Sequence, residues 1–194
     1  SQKPGPETFS DFLYKGGFPE FLASEDPGVH AALYHDLINR DIIVRHRLRN
    51  PRVVKELGIY LATNMGKLFS YNQLAKHFKL GSVNTAQSYI GYFEDAYLFF
   101  SLPLFSYSLK QQAINPKKIY GIDTGLMHAL SLSFSQDKGR LLENNIAIEL
   151  KRRGYQLSYF KGIHECDFVC VENRKIILLI QVCLELNADN RDRE

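Results

Sequence analysis

The chain has 194 residues, 45% hydrophobic and 12% aromatic, enough for one domain or two small ones with real cores and too apolar for a disordered polymer. A formal charge of +3 and a pI near 8.7 permit a nucleic-acid partner without requiring one. No apolar run approaches the ~20 residues of a membrane span, the polar start is no secretory signal, and three irregularly spaced cysteines read as reduced thiols, so the expectation is a cytoplasmic protein with no membrane partner.

In chain order, "SQKPGP" reads as a linker and residues 8–25 mix a short apolar pattern with the turn "GGFPE". Asp26-Pro27 is an N-cap followed by a first-turn proline. Val29, Leu33 and Leu37 recur at helical spacing after it, which predicts one long helix or a broken pair. Its basic end carries Arg40, Arg45, Arg47 and Arg49, with Arg52 beyond. Asn50-Pro51 starts a second helix with Val53, Leu57 and Leu61 on its buried face, ended at Asn64-Met65-Gly66. Ser70 and Gln73 form a capping box for a short helix carrying Leu74 and Phe78. Leu80-Gly81 turns the chain, and Ser82 caps a third helix with Ala86, Tyr89, Ile90, Phe93 and Tyr97 inward. Two helices joined by a short glycine turn describe a helix-turn-helix. The strand-like "YLFFSLPLFSY" and "KKIYGID", with polar "SLKQQAINP" between them, predict a β-hairpin wing ending near residue 122.

The second half predicts a helix in "DKGRLLENNIAIELKRRGYQ", closed by Gly154, then strands "QLSYFK", "ECDFVCVE" and "KIILLIQVC", the last two joined by the hairpin turn "ENRK". The last strand is apolar on both faces and is expected to be central and covered. The closing "NADNRDRE" supplies no further helix or strand, so the expectation is an incomplete αβββ sheet and a piece of a longer protein. The fold class expected is α/β, α+β overall. Residues 1–49 form a helical, lid-like linker, 50–135 a winged helix, and 136–194 the truncated sheet domain.

Glu143 lies on the helix that opens the second half, and Asp167 is embedded in an apolar strand, where a carboxylate needs water, a partner or a cation. Gln181 and Cys183 share one face of the last strand. An in-register hairpin would set Asp167 beside Gln181. Carboxylates converging there suit Mg²⁺, which can activate water and stabilise phosphoryl transfer.

Helix "G-R-x-x-E", then a strand aspartate, then an apolar strand ending "I-Q-V-C" resembles the PD-(D/E)XK nuclease core. The resemblance places Glu143 at the helix acid and Asp167 at the aspartate. Gln181 stands in place of the glutamate, Cys183 in place of the lysine, and Cys166 in place of the proline before the aspartate. Glutamine binds a hard cation weakly and cysteine carries no lasting positive charge, which implies a degenerate site. More widely, "GGFPE", "INRDI", "FSYNQLAK", "YIGYFEDAYLFF", "KKIYGIDTGL", "GRLLENNIAIELKRRG" and "ECDFV" together resemble the C-terminal half of prokaryotic AAA+-type ATPases. In these a P-loop core precedes a winged helix and a restriction-endonuclease-like fold. "MGKL" is no P-loop, because Leu61 stands where its first glycine is needed. ATP is thus expected only in a preceding core.

Plainer readings stand beside these. Glu143 also reads as a solvated helix-face acid, and Asp167 as the partner of a nearby lysine such as Lys161. Gln181 and Cys183 read as structural sooner than catalytic. His164, Cys166 and Cys170 match no zinc spacing. Base contacts would come from Ser82, Asn84, Gln87 and Ser88 at the start of the third helix, with Lys76 and Lys79 nearby for phosphates. Arg45, Arg47 and Arg49 suit phosphates, a solvated face, or docking onto the ATPase core or another subunit. Asp123 and Thr124 read as a helix cap. The expected function is a non-catalytic C-terminal region of an ATPase, with DNA, its own ATPase core or a protein partner as ligand. The alternatives are an Mg²⁺-dependent nuclease using Glu143, Asp167 and Gln181, and a protein-interaction or self-association module without nucleic acid.

Overall fold

The computed structural model describes residues 6–19, 22, 26–130 and 137–185. The opening "SQKPG", Glu20 of "GGFPE" and the closing "NADNRDRE" lie outside them. The architecture is mixed α/β: helices α1 (Pro6–Lys15) and α2 (Pro27–Asp36), a π-helical continuation (Leu37–Val44), then α3 (Pro51–Thr63), β1 (Leu68–Phe69), α4 (Tyr71–His77), α5 (Val83–Asp95), β2 (Phe99–Leu102), α6 (Leu109–Ile114), β3 (Lys117–Gly121), α7 (Thr124–Leu130), α8 (Lys138–Arg152), β4 (Gln156–Lys161), β5 (Glu165–Glu172) and β6 (Lys175–Ile180). Both three-stranded sheets are antiparallel, with orders β1-β3-β2 and β4-β5-β6. Among the described residues no helix is long and apolar enough to cross a membrane.

The expected helix starts form through local hydrogen bonds that satisfy otherwise orphaned backbone N–H groups. Asp26 Oδ1 accepts from Gly28 N–H, Asn50 caps α3, Ser82 Oγ accepts from Thr85 N–H, and both halves of the Ser70–Gln73 capping box are present. Asp123 Oδ1 accepts from Leu126 N–H at 2.7 Å, the cap expected for α7. Its Oδ2 accepts from Gly17 N–H at 2.7 Å, which fastens the "GGFP" turn to α7.

Four details differ from the sequence expectation. The buried stripe of α2 and its continuation is His30, Tyr34, Ile38 and Ile42, one residue after the predicted one. The wider π turns, with Arg45 N–H bonded to the Arg40 carbonyl, keep this four-residue spacing on one side. Tyr97 is 75% exposed, because α5 stops at Asp95 and Tyr97 turns left-handed at φ 52°. The polar "SLKQQAINP" is no wing tip. Ser108 caps α6 there, and the chain before it bridges in parallel to β4 at Leu104–Tyr159. Finally, β6 is an edge strand, with Ile176 to Leu179 between 41% and 65% exposed, since no described element covers it.

The first sheet has two covered faces because side chains alternate along β3. Ile119 enters the helical core with Leu57, Leu61, Ile90 and Phe93. Tyr120 points the other way, into a second core with Phe100, Ala147, Leu157 and Phe168. Lys118 shares the Tyr120 face.

One tight contact in the helical core is testable. Tyr34 Oη is buried with no hydrogen-bond partner among the described residues and lies where a Cβ on Gly58 would stand. Overpacking predicts that Gly58→Ala costs about 1–3 kcal/mol. Tyr34→Phe removes an unpartnered oxygen, so by itself it changes stability little. Combined, the two substitutions should be less destabilising than their sum by urea denaturation. Simple additivity would show that the hydroxyl is not the obstacle.

Candidate functional site

The side chains of Glu143, Asp167 and Gln181 come together, and Lys118 joins them from the first sheet. Helix α8 buries Leu141, Asn144, Ala147 and Leu150, which sets Glu143 beside β3. Asn144 closes the end of β3: its Oδ1 accepts from Gly121 N–H at 2.8 Å and its Nδ2 donates to the Gly121 carbonyl at 2.9 Å. Lys118 Nζ donates to Asp167 Oδ1 at 2.7 Å and to Glu143 Oε1 at 3.1 Å. Tyr120 Oη donates to the same Glu143 oxygen at 2.6 Å. Asp167 Oδ2 accepts from Val182 N–H at 3.0 Å, and Gln181 Oε1 accepts from Asp167 N–H at 3.1 Å.

These charges are mostly out of water. The side chains of Lys118 and Asp167 are 11% exposed and that of Glu143 is 15% exposed. Burial raises the Glu143 carboxyl above its ordinary pKa against the pull of Lys118, with the Asp167 carboxylate adding to the rise. Burial alone would lower the Lys118 ammonium, yet the two carboxylates outweigh it and the net shift is upward. Tyr120 is raised, first by burial and then by the Glu143 charge. Removing ions from water costs several kcal/mol each, and close attraction at an effective dielectric of 20 returns about 4 kcal/mol per contact. Such a group adds little net stability when assembled and is expensive to break.

An open cavity of about 390 Å³ adjoins it, lined by Gly66, Lys67, Tyr159, Lys161 and Glu165 among others. Lys161 pairs with Glu165 at 2.5 Å, so the expected Lys161–Asp167 pair is replaced by Lys118–Asp167. Cys183 donates to the Glu185 carbonyl at 3.0 Å, and none of the three cysteines is in a disulfide. Mg²⁺ needs several hard oxygen ligands at about 2.0–2.1 Å. Here two carboxylates already share an ammonium, and the Gln181 oxygen is occupied by a backbone N–H. No described residues form a group of three or more His, Cys, Asp or Glu side chains suited to a metal. A hard divalent ion on these oxygens would have to compete with the Lys118 ammonium and the Asp167 N–H.

A second surface lies on α5. Asn84, Gln87 and Ser88 are exposed, while Ser82 is committed to its cap through Thr85 N–H at 3.0 Å. His46 stacks on Tyr92 of α5, ring centroids 3.7 Å apart and planes 15° off parallel. That contact fastens the segment carrying the exposed Arg45, Arg47 and Arg49 to the last turn of α5. Arg40 pairs with Asp41 and Arg52 with Glu56, which divides the basic run into neutralised ends and an open middle.

Sequence reasoning missed Lys118, Tyr120 and Asn144. Lys118 carried a usable signal, since a lysine in the apolar "KKIYG" strand needs an anion as Asp167 needs a cation.

An uncharacterised protein of Methanocaldococcus jannaschii is 37% identical over 199 residues, covering 95% of this chain and 44% of its own length. An uncharacterised protein of Haemophilus influenzae is 25% identical over 195 residues, covering 96% of this chain and 48% of its own. The chain therefore spans about half the length of the curated relatives it matches. No solved structure matches it. Residues 6–138, more than half of the chain, match the family model described as a domain of unknown function, DUF8612, and the chain belongs to that family.

Proposed function

We propose that this chain is the non-catalytic, DNA-binding part of a larger prokaryotic ATPase, a winged helix joined to a degenerate nuclease-like sheet. The observation that carries the DNA reading is that one helix, α5, exposes polar side chains in its first turns and holds the exposed Arg45–Arg49 loop at its last turn through the His46–Tyr92 stack. A recognition helix supplies base contacts from its first turns, and neighbouring cations supply phosphate contacts and most of the affinity. The order α3-β1-α4-α5-β2-α6-β3, with sheet order β1-β3-β2 and α6 standing between the two hairpin strands, supports the winged-helix reading. The order α8-β4-β5-β6, with Glu143, Asp167 and Gln181 converging, supports the nuclease-like one. Lys118 between the carboxylates supports loss of catalysis. The greater length of the relatives leaves room for an ATPase core.

Fluorescence anisotropy with duplex DNA over a salt series tests this reading. Charge reversal at both Arg45 and Arg47 should weaken binding about tenfold or more and reduce the salt slope by roughly 2. Binding that ignores salt and these arginines would favour a protein-interaction module instead. Mg²⁺-dependent cleavage abolished by Asp167→Ala would favour a nuclease in which Lys118 supplies the basic group that Cys183 lacks.

A further inference from the structure

Lys118 reaches its two carboxylates from another sheet. It sits in the middle strand of the first sheet, paired with Leu68 on one side and Leu102 on the other, so its backbone is held from both edges. Its Nζ lies 2.7 Å from Asp167 Oδ1 and 3.1 Å from Glu143 Oε1. A divalent ion bound to those same oxygens at about 2.1 Å would have to enter the volume that Nζ fills. Asp167 Oδ2 is committed to Val182 N–H, and Glu143 Oε2 faces Gly66, 3.5 Å from where a Cβ there would stand.

We propose that the Lys118 ammonium is the resident cation of this site: it occupies the place between Glu143 and Asp167 that a divalent metal would take, and there it staples the first sheet to the second. The contacts around it have the same direction. Tyr120 Oη reaches Glu143, Asn144 holds both backbone groups of Gly121, and Tyr159 Oη of β4 donates to the Pro116 carbonyl at 2.6 Å. Phe105 N–H donates to the Tyr159 carbonyl at 2.7 Å, and Tyr120 lies between Phe100 and Phe168 at centroid distances of 5.7 Å on each side. A fixed ammonium holds these elements without depending on metal supply. Unlike a bound metal, it brings no coordinated water. DNA binding by the arginine loop stands or falls separately.

The test is thermal melting of the full chain with Mn²⁺ and Mg²⁺, beside electron paramagnetic resonance titration of Mn²⁺. Wild type should show no melting shift at about 10 mM metal and no tight Mn²⁺ binding, whereas Lys118→Ala, with its carboxylates uncovered, should gain about 3 °C or more. Lys118→Met keeps the apolar stem and serves if the alanine variant does not fold. A folded Lys118 variant that gains no metal response overturns the assignment. So does Mn²⁺ binding by wild type that Asp167→Asn abolishes, a result readable without any Lys118 variant. Should neither Lys118 variant fold, the wild-type titration decides alone, and a free-Mn²⁺ signal throughout supports the fixed cation. Mn²⁺ bound without DNA cleavage would overturn the fixed cation and leave the non-catalytic reading standing.

Discussion

Replacing Lys118 by alanine should cost about 3–5 kcal/mol of unfolding free energy and lower the melting temperature by roughly 6–20 °C. The substitution leaves Glu143 and Asp167, each at most 15% exposed, facing each other with no cation between them. Removing one partner of a buried ionic group is costly because the remaining charge stays desolvated. The pH dependence identifies the cause. A carboxyl whose folded pKa is raised loses stability as pH climbs from its unfolded value through its folded one, because the folded state holds the proton longer. Glu143 is raised in the wild type, and losing Lys118 raises it further. The variant should therefore recover part of its deficit as pH falls and Glu143 becomes neutral. Lys118 is itself raised, so the pairing it provides is fully present below the ordinary lysine value of 10.5 and is lost as pH rises through the higher folded value. The gap between wild type and variant should narrow again only in that alkaline range. Chemical denaturation from acid to alkaline pH measures both arms, and a deficit under about 1 kcal/mol or one flat in pH would refute the charge argument.

Gly125→Ala should destabilise the fold by about 1–3 kcal/mol or more. A Cβ there would run into the Lys15 carbonyl group and lie 2.9 Å from Gly16 N, all backbone atoms at the end of α1. A side-chain tip could swing aside, but these atoms are held by the α1 turn and the Gly16 N–H bond to the Phe12 carbonyl. Helix α7 would have to retreat from α1, and Asp123 could not keep both Leu126 N–H and Gly17 N–H at 2.7 Å. Gly91→Ala is the control. It lies inside α5 with nothing within 4 Å of a Cβ, so alanine should stabilise by about 0.5–1 kcal/mol through helix propensity alone. Equal effects of the two substitutions, measured by thermal and urea unfolding, would show that close packing at Gly125 is not the cause.

Much of the local structure was legible because its causes are local. Ser70 meets Gln73 and Ser82 meets Thr85 three residues on, and Gly154 turns left-handed where α8 was expected to end. Asn173 and Arg174, both at positive φ, make the tight turn expected in "ENRK". Strands β4 and β5 follow the predicted segments, and Gln181 does reach Asp167, but through a one-residue bulge in β6 that no sequence pattern showed, since the turn at Asn173-Arg174 alone would set Ile180 opposite Asp167. Where exposure depends on what arrives from elsewhere, pattern alone misled. The aliphatic run in β6 has the composition of a covered strand, yet no described neighbour covers it. Tyr97 fits the helical stripe of α5 but follows the last helical turn.

By itself the sequence determined most of the helix starts, five of the six described strands and the two acids that had to be accounted for. Each of those rests on hydrogen bonds or hydrophobic periodicity within a few residues. Only the tertiary structure decided what the acids face. Lys118 is 25 positions from Glu143 and 49 from Asp167, and no spacing rule links them. The two sheets bring an ammonium to the carboxylates because burying either sign alone is prohibitive, and that meeting, more than Gln181 or Cys183, sets the character of the site.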